Sequence, residues 1–353
     1  MKLKRFLILF AAVFFTGCFG GEEVGDRAFV QLMGLDRSDG IYTASLQIYK
    51  SESGTAEPDM SKANSFMQSG SGSTVQAALA DAETAVGKKI FLGHIKMLVI
   101  GEGIENPSDE LALFFDGSVS LSCPVVYSDD PAAVAGTLPE DGAFSAEQIL
   151  SIMKTASRQG KTVYTSAAEL AEGAGALDCA AALPVVKAED KTVAFDGLTF
   201  ARRNGTAGTL SEEDALGAKL LLDKFESGDK ITVPVTVDGK QASVFITDAK
   251  TKINTKASDG QLSVFAKVKL KLYISENPFE IDESLIEKAV RENVRDSCIS
   301  AFSSAVWYNS CDIFGIKKLV RRDCPGFYDE YCSDTDGYLA DSSLNVTVSD
   351  RLV

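Results

Sequence analysis

Residue types that could carry chemistry are sparse in this chain of 353 residues. His94 is the single histidine, so a histidine metal cluster and an HExxH zinc helix are both excluded. A catalytic triad would have to use it. No Gly-x-Ser-x-Gly turn accompanies His94, and its apolar neighbours Ile95 and Leu98 predict a half-buried structural position. The run from Thr155 to Thr162, TASRQGKT, nearly matches a phosphate-binding loop, but Thr155 replaces the first glycine that lets backbone amides curl around phosphate. A helical pattern precedes it where a strand belongs, so the match reads as coincidence. The cysteines lack Cys-x-x-Cys spacing, which leaves neither a zinc site nor dithiol redox chemistry. Acidic residues are numerous but scattered, and no glycosidase-like pair stands out. The expectation is a protein with no catalytic residue, no metal site and no cofactor.

One residue does carry a specific chemical expectation, and it is Cys18. Lys2, Lys4 and Arg5 precede an apolar run from Phe6 to Phe15, the pattern of an export signal, and that run is too short to span a bilayer. Phe15-Thr16-Gly17-Cys18 then places small residues before a thiol, as a lipoprotein signal peptidase requires, although leucine is more usual than Phe15. Cleavage before Cys18 and acylation of its thiol are expected, with residues 1–17 removed. Two acyl chains at about 0.8 kcal/mol per buried CH2 hold a water-soluble body on a membrane where one would not. Past residue 18 no apolar stretch approaches the roughly 20 residues of a transmembrane helix. The expected state is therefore anchored, on the extracytoplasmic face.

Removing the first seventeen residues takes away three basic residues and no acid, so 35 basic residues fall to 32 against 50 acids, a net charge of −18. Such a balance argues against nucleic acid and against electrostatic attachment to anionic lipid. The only tight basic cluster is Lys317, Lys318, Arg321 and Arg322, for which a solvated face is the simpler reading than a contact with headgroups or an acidic subunit. Seven cysteines become six once Cys18 is acylated, an even number that permits disulfides outside the cytoplasm. Cys311, Cys324 and Cys332 lie close in sequence. Cys123, in an apolar segment, and Cys298, on an apolar helical stripe, read as buried free thiols.

The elements that position these residues follow from period and turn chemistry. Ala28 to Leu35 and Ile41 to Tyr49 predict a hairpin through Arg37-Ser38-Asp39-Gly40. Residues 51–72 read as an exposed loop. Ser73 with Gln76 predicts a capped helix through Val86, ended by Gly87, followed by a β-like segment from Ile90 to Ile100. Helical signals then dominate to Leu183, with starts at Asn106, Ser145 and Ser166 and a buried strand within Ser118 to Tyr127. The polar stretch Lys187 to Lys191 marks the expected domain boundary. Beyond it, Asp238-Gly239 and Asp259-Gly260 separate three alternating strands, Ile231 to Val237, Ala242 to Asn254 and Leu262 to Ser275. In the last, Val264, Ala266, Val268, Leu270 and Leu272 share one face, while Lys267, Lys269 and Lys271 share the other. The lysine row suits an acidic partner, with a solvated sheet face as the simpler reading. Ser284 and Glu287 open a long helix whose stripe is Ile286, Val290, Val294, Cys298 and Phe302, and Leu344 to Val348 predicts a final strand.

The expected fold class is α+β and multi-domain, with mainly antiparallel or mixed β-sheets each flanked by helices. The expected division is a lipidated tether at 18–27, an N-terminal α/β region at 28–187 and a C-terminal α+β domain at 192–353.

Beyond spacing, the strings themselves are informative. Gly17-Cys18 followed by FGGEEVGDRAFVQLMGLD resembles the opening of the Ger(x)C spore germination lipoproteins, with Gly34 and Asp36 in the places of that family's Gly-x-Asp. Phe19 and Gly20 replace the family's frequent Trp-Asp. Gly72-Ser73-Thr74-Val75, Gly87-Lys88-Lys89 and FLGHIKMLVIGEGI are similar to its helix and following Gly-His-x-Lys strand, with His94 and Lys96 on the motif. FDGLTF at Phe195–Phe200, Asp312-Ile313-Phe314-Gly315 and Cys324-Pro325 resemble landmarks of its C-terminal part. The resemblance implies a non-enzymatic C subunit of a nutrient germinant receptor, lipid-anchored at the spore inner membrane beside membrane A and B subunits. It carries over no ligand-binding residue. The alternative from another class is the solute-binding lipoprotein of an ABC importer, which requires two parallel-sheet lobes around a cleft, and the Asp-Gly hairpins speak against it.

Overall fold

The first hairpin forms where Asp39 and Gly40 take up positive φ, 51° and 79°, the two left-handed residues of a tight type I′ connection. It joins strands β1 (Arg27–Ser38) and β2 (Ile41–Tyr49) in a computed structural model that describes residues 26–49, 65–111, 117–137, 145–175, 180–190, 192–203, 205–332 and 337–353. Cys18 and the expected signal lie outside these residues.

β1 seeds a nine-stranded mixed sheet. β3 (Ser65–Gly72) pairs antiparallel with β2, and β4 (Lys89–Phe91) and β5 (Met97–Ile100) pair parallel with β1. β6 (Val125–Tyr127) and then β7 (Ala180–Glu189) continue the parallel centre, and β8 (Thr192–Arg202) and β9 (Gly205–Leu210) close the sheet antiparallel. The centre is buried on both faces, which explains why Met97–Ile100 and Val125–Tyr127 are uninterrupted apolar runs rather than alternating ones. On one face Met33, Leu35, Leu98, Ile100 and Val125 pack with helix α1 (Val75–Val86) and Leu170. On the other, Leu32, Met97, Val99 and Val126 pack with Val134 and with Ile149 and Met153 of helix α2 (Ser145–Arg158).

The second sheet is the meander β10 (Ile231–Val237), β11 (Lys240–Ser258) and β12 (Gln261–Glu276), with β13 (Ser343–Leu352) added parallel to β12. Its turns repeat the Asp-Gly device, with φ of 50° and 77° at Asp238-Gly239 and 51° and 75° at Asp259-Gly260. Val264, Ala266, Val268, Leu270 and Leu272 are all buried, facing the stripe Ile286, Val290, Val294, Cys298 and Phe302 of the long helix α5 (Glu283–Phe302). Helices α3 (Ala167–Gly175) and α4 (Ala215–Leu221) precede it, and α6 (Ile316–Asp323) follows. Leu198 and Phe200 of the first sheet share a core cluster with α4 and Val244 of the second, so apolar packing runs through the junction. Burying each such side chain stabilises the fold by roughly 1.5–3 kcal/mol.

The fold class is α+β with two mixed sheets and flanking helices, as the sequence predicts. Several local expectations need correction. Within the stretch expected to be a loop, Ser65–Gly72 is a strand, and residues 51–64 lie outside the described residues. α1 is capped by Thr74, whose hydroxyl accepts from the Ala77 amide at 3.1 Å, rather than by Ser73. α5 is capped by Asp282, which accepts from the Ser284 amide, rather than by Ser284. The segment Ile90 to Ile100 is two short strands separated by a loop, and only Val125–Tyr127 of the segment Ser118 to Tyr127 is strand. β7 ends at Glu189 and pairs with β8, and β8 pairs with β9, so that the first sheet extends to Leu210. The reciprocal cap at α3 is as expected: the Ser166 amide donates to Glu169 at 2.9 Å, and the Glu169 amide to Ser166 Oγ at 3.3 Å.

Candidate interaction surfaces

At the end of β1 where the chain enters the fold, Phe29 and Phe91 meet edge to face at 5.5 Å, and His94 lies 5.4 Å from Phe91. The Arg27 guanidinium covers the Phe91 ring at 5.1 Å. His94 is exposed, not half-buried as its neighbours suggested, because the loop between β4 and β5 carries it out of the sheet. Its close neighbours among the described residues are the rings of Phe29 and Phe91. Lys96, from the same motif, pairs with Glu147 of α2.

The opposite end of β1 is built by the glycines and acids of two further motifs. Asp36 accepts from the Arg37 amide at 2.8 Å and the Gly103 amide at 3.1 Å, and the Gly101 amide donates to Leu35 O at 2.9 Å. A Cβ on Gly103 would stand 1.7 Å from Arg37 O, and one on Gly34 would stand 2.5 Å from Pro131 O. Gly34-x-Asp36 and Gly101-Glu102-Gly103 thus hold two chain segments in backbone contact. Arg37 lies 3.5 Å from Glu105 and 3.6 Å from Glu110, and burial raises the Glu110 carboxyl above the usual carboxylate range.

Between the sheets, Lys219 of α4 is withdrawn from water and lies 2.9 Å from Asp229. Its ammonium also donates to Ser157 O at 2.7 Å and Ser157 Oγ at 3.0 Å. Ser157 belongs to the run that imitates a phosphate-binding loop, so that run is the end of α2 and a docking point for a lysine. Lys219 matches no motif in the sequence; its one signal there is a cation inside the apolar stretch Leu216–Leu222. Nearby, buried Asp312 accepts from the Ile316 and Lys317 amides, each at 2.7 Å, and so caps α6. Burial pushes its carboxyl up to about 6 against these donors. Phe314 stacks on Phe302 at 5.7 Å, so Asp312-Ile313-Phe314-Gly315 is a packing corner. A cavity of about 220 Å³ beside it is bordered by Thr165, Lys224, Asp312 and Lys318. Glu169 lies 2.8 Å from Lys224, and Glu172 pairs with Lys318.

The basic cluster of α6 is largely committed to neighbours. Besides Lys318, Arg321 lies over Tyr328 at 5.7 Å and Arg322 reaches Asp323 at 2.6 Å. Of the cysteines, Cys123, Cys298 and Cys324 are free thiols, and burial pushes Cys123 and Cys298 up to about 12. Among the described residues no cluster of histidines, cysteines and carboxylates has metal-binding geometry.

The open face of the second sheet differs from all of these. β11 contributes Lys250, Lys252 and Lys256, β12 contributes Lys267, Lys269 and Lys271, and β13 contributes Arg351. Of these rows, only that of β12 is evident from the alternation in the sequence. Lys250 stands opposite Lys269, and Lys252 opposite Lys267.

Residues 20–188 match the spore germination protein N-terminal domain, and residues 196–349 match the spore germination B3/GerAC-like C-terminal domain. The chain belongs to the GerAC-like spore germination family. It is 22% identical over 357 residues to the putative spore germination protein YfkR of Bacillus subtilis (strain 168), covering 94% of this chain and 88% of that protein. The crystal structure of the GerBC protein is similar with a TM-score of 0.60 at 15% identity, over 91% of this chain and 96% of that one. At that identity the likeness speaks for the fold: GerBC and this chain share the two-sheet α+β arrangement. The GerAC-like motifs that carried the resemblance, around Asp36, Gly101 and Asp312, are packing and capping devices here.

Proposed function

We propose that this chain is the lipid-anchored C subunit of a nutrient germinant receptor, without enzymatic activity of its own, working through contacts with membrane A and B subunits. The observation that carries the reading is the position of the family match, which starts at residue 20, directly behind Cys18. In this reading the signal is cut before Cys18, diacylglycerol is attached to its thiol, and the body lies on the extracytoplasmic face of the spore inner membrane. Fully extended at about 3.3–3.6 Å per residue, the chain from Cys18 to Arg27 reaches no more than roughly 30 Å, so the aromatic end of β1 stays close to the bilayer. No helix of the described residues is long and apolar enough to cross a membrane, in keeping with attachment by lipid. Tethering raises the effective concentration at companion subunits, so weak protein contacts suffice.

Replacing Cys18 by Ala tests this. Loss of the protein from the spore membrane fraction, together with loss of nutrient-triggered germination, is the expected result; unchanged retention and germination would contradict it.

A further inference from the structure

The lysine-bearing face of the second sheet is an anomaly in an acidic molecule. Seven cations occupy one face of three strands with Asp248 as the single acid in register with them. Their arrangement depends on a bulge at Thr247: before it Ser243 and Phe245 lie on the open face, and after it Lys250 and Lys252 do. Were Thr247 paired regularly instead of bulged, these lysines would point into the core. Like charges directly opposite one another destabilise a sheet, yet two such pairs lie side by side. Among the described residues only part of the charge is met: Asp223 lies 2.6 Å from Lys250, and Asp248 lies 2.6 Å from Lys271. Lys252, Lys267 and Lys269 have no ion-pair partner among the described residues. The face is shallowly concave, with a depression of about 420 Å³ bordered by Lys250, Lys269, Lys271 and Arg351.

We propose that this face is a docking surface for an acidic segment of a partner protein. Charge complementarity fixes the sign of the occupant, since carboxylates would relieve the opposed lysines and satisfy cations that have no ion pair among the described residues. The rest of the molecule selects protein over lipid. Setting the seven cations and Asp248 aside leaves 25 basic residues against 49 acids on the mature chain. An anionic bilayer extends beyond the patch and meets that acidic remainder. A protein segment of limited size does not, because charges beyond about 8 Å are largely screened at physiological salt. This inference rests on the reading of the chain as a subunit that acts through protein contacts, but its test does not use germination or the anchor as a readout.

The test uses the full-length chain in neutral detergent and fluorescent poly-L-glutamate as the acidic probe. Wild type is expected to bind with an affinity that drops at least tenfold between low and high salt. The triple variant Lys252→Gln/Lys267→Gln/Lys269→Gln should lose at least tenfold at low salt, while Lys318→Gln, in the other basic cluster, should leave binding unchanged. A urea midpoint at or above that of wild type establishes that the triple variant is folded; Lys269→Gln alone, expected to lose at least threefold, serves if it is not. In a second arm, partition into phosphatidylglycerol vesicles relative to neutral phosphatidylcholine vesicles should be the same for wild type and variant. Equal poly-L-glutamate binding by wild type and variant would overturn the proposal. So would a selective loss of the phosphatidylglycerol preference, which would assign the face to lipid.

Discussion

Lys219 and Asp229 form an ion pair at 2.9 Å with side chains only 1% and 4% exposed, and the same ammonium bonds Ser157 at the end of α2. A helix of the second half is thereby fastened to a helix packed on the first sheet. Removing one partner leaves the other charge buried and uncompensated. Lys219→Met should cost about 3–5 kcal/mol of stability, measured by urea unfolding, and Lys219→Met with Asp229→Leu should recover most of it. A single variant as stable as wild type would mean that the pair is solvated.

Asp312 gives a pH dependence of defined sign. Its folded-state value of about 6 exceeds the roughly 3.9 of an unfolded aspartate, so the native state binds more protons between those limits. Its contribution is favourable below about pH 4 and is lost as pH rises through about 6. Asp312→Asn should remove that slope, so the stability of wild type relative to the variant should fall between pH 4 and pH 6. A difference constant across this range would contradict the burial of the carboxyl.

The glycine contacts at the C-terminal end of β1 allow no side chain. Gly103→Ala forces a methyl group against Arg37 O and should cost about 1–3 kcal/mol, seen as a lowered thermal midpoint. Gly40→Ala, at an open turn position with φ of 79°, meets no atom within 4 Å and should cost only about 1 kcal/mol from backbone strain. Equal losses at the two positions would exclude close packing as the reason for Gly103.

The hairpins were legible because Asp-Gly pairs have few conformational alternatives, and the α5 stripe because one face of a long helix must cover a sheet. β3 was not, for a physical reason. Its sequence SFMQSGSG has no apolar alternation, since Gly70 and Gly72 are where the backbone of α1 presses directly on the strand. A Cβ on Gly70 would stand 2.3 Å from Ala78 O, so close packing has erased the pattern that announces a strand. The second lysine row was hidden likewise: the bulge at Thr247 shifts the alternation, so the period before it misplaces Lys250 and Lys252. The buried Lys219 pair escaped because its partners, Ser157 and Asp229, are far from it or outside its helix in sequence. The motif residues Asp36 and Asp312 were visible as strings, but their capping roles required the partner backbone.

The proposed anchoring depends on the chemical state of one thiol. Mass spectrometry of the amino-terminal peptide from spore membranes should find a chain beginning at Cys18 with a diacylglyceryl group on sulfur. A peptide that begins elsewhere, or an unmodified cysteine on protein recovered in the soluble fraction, would contradict it.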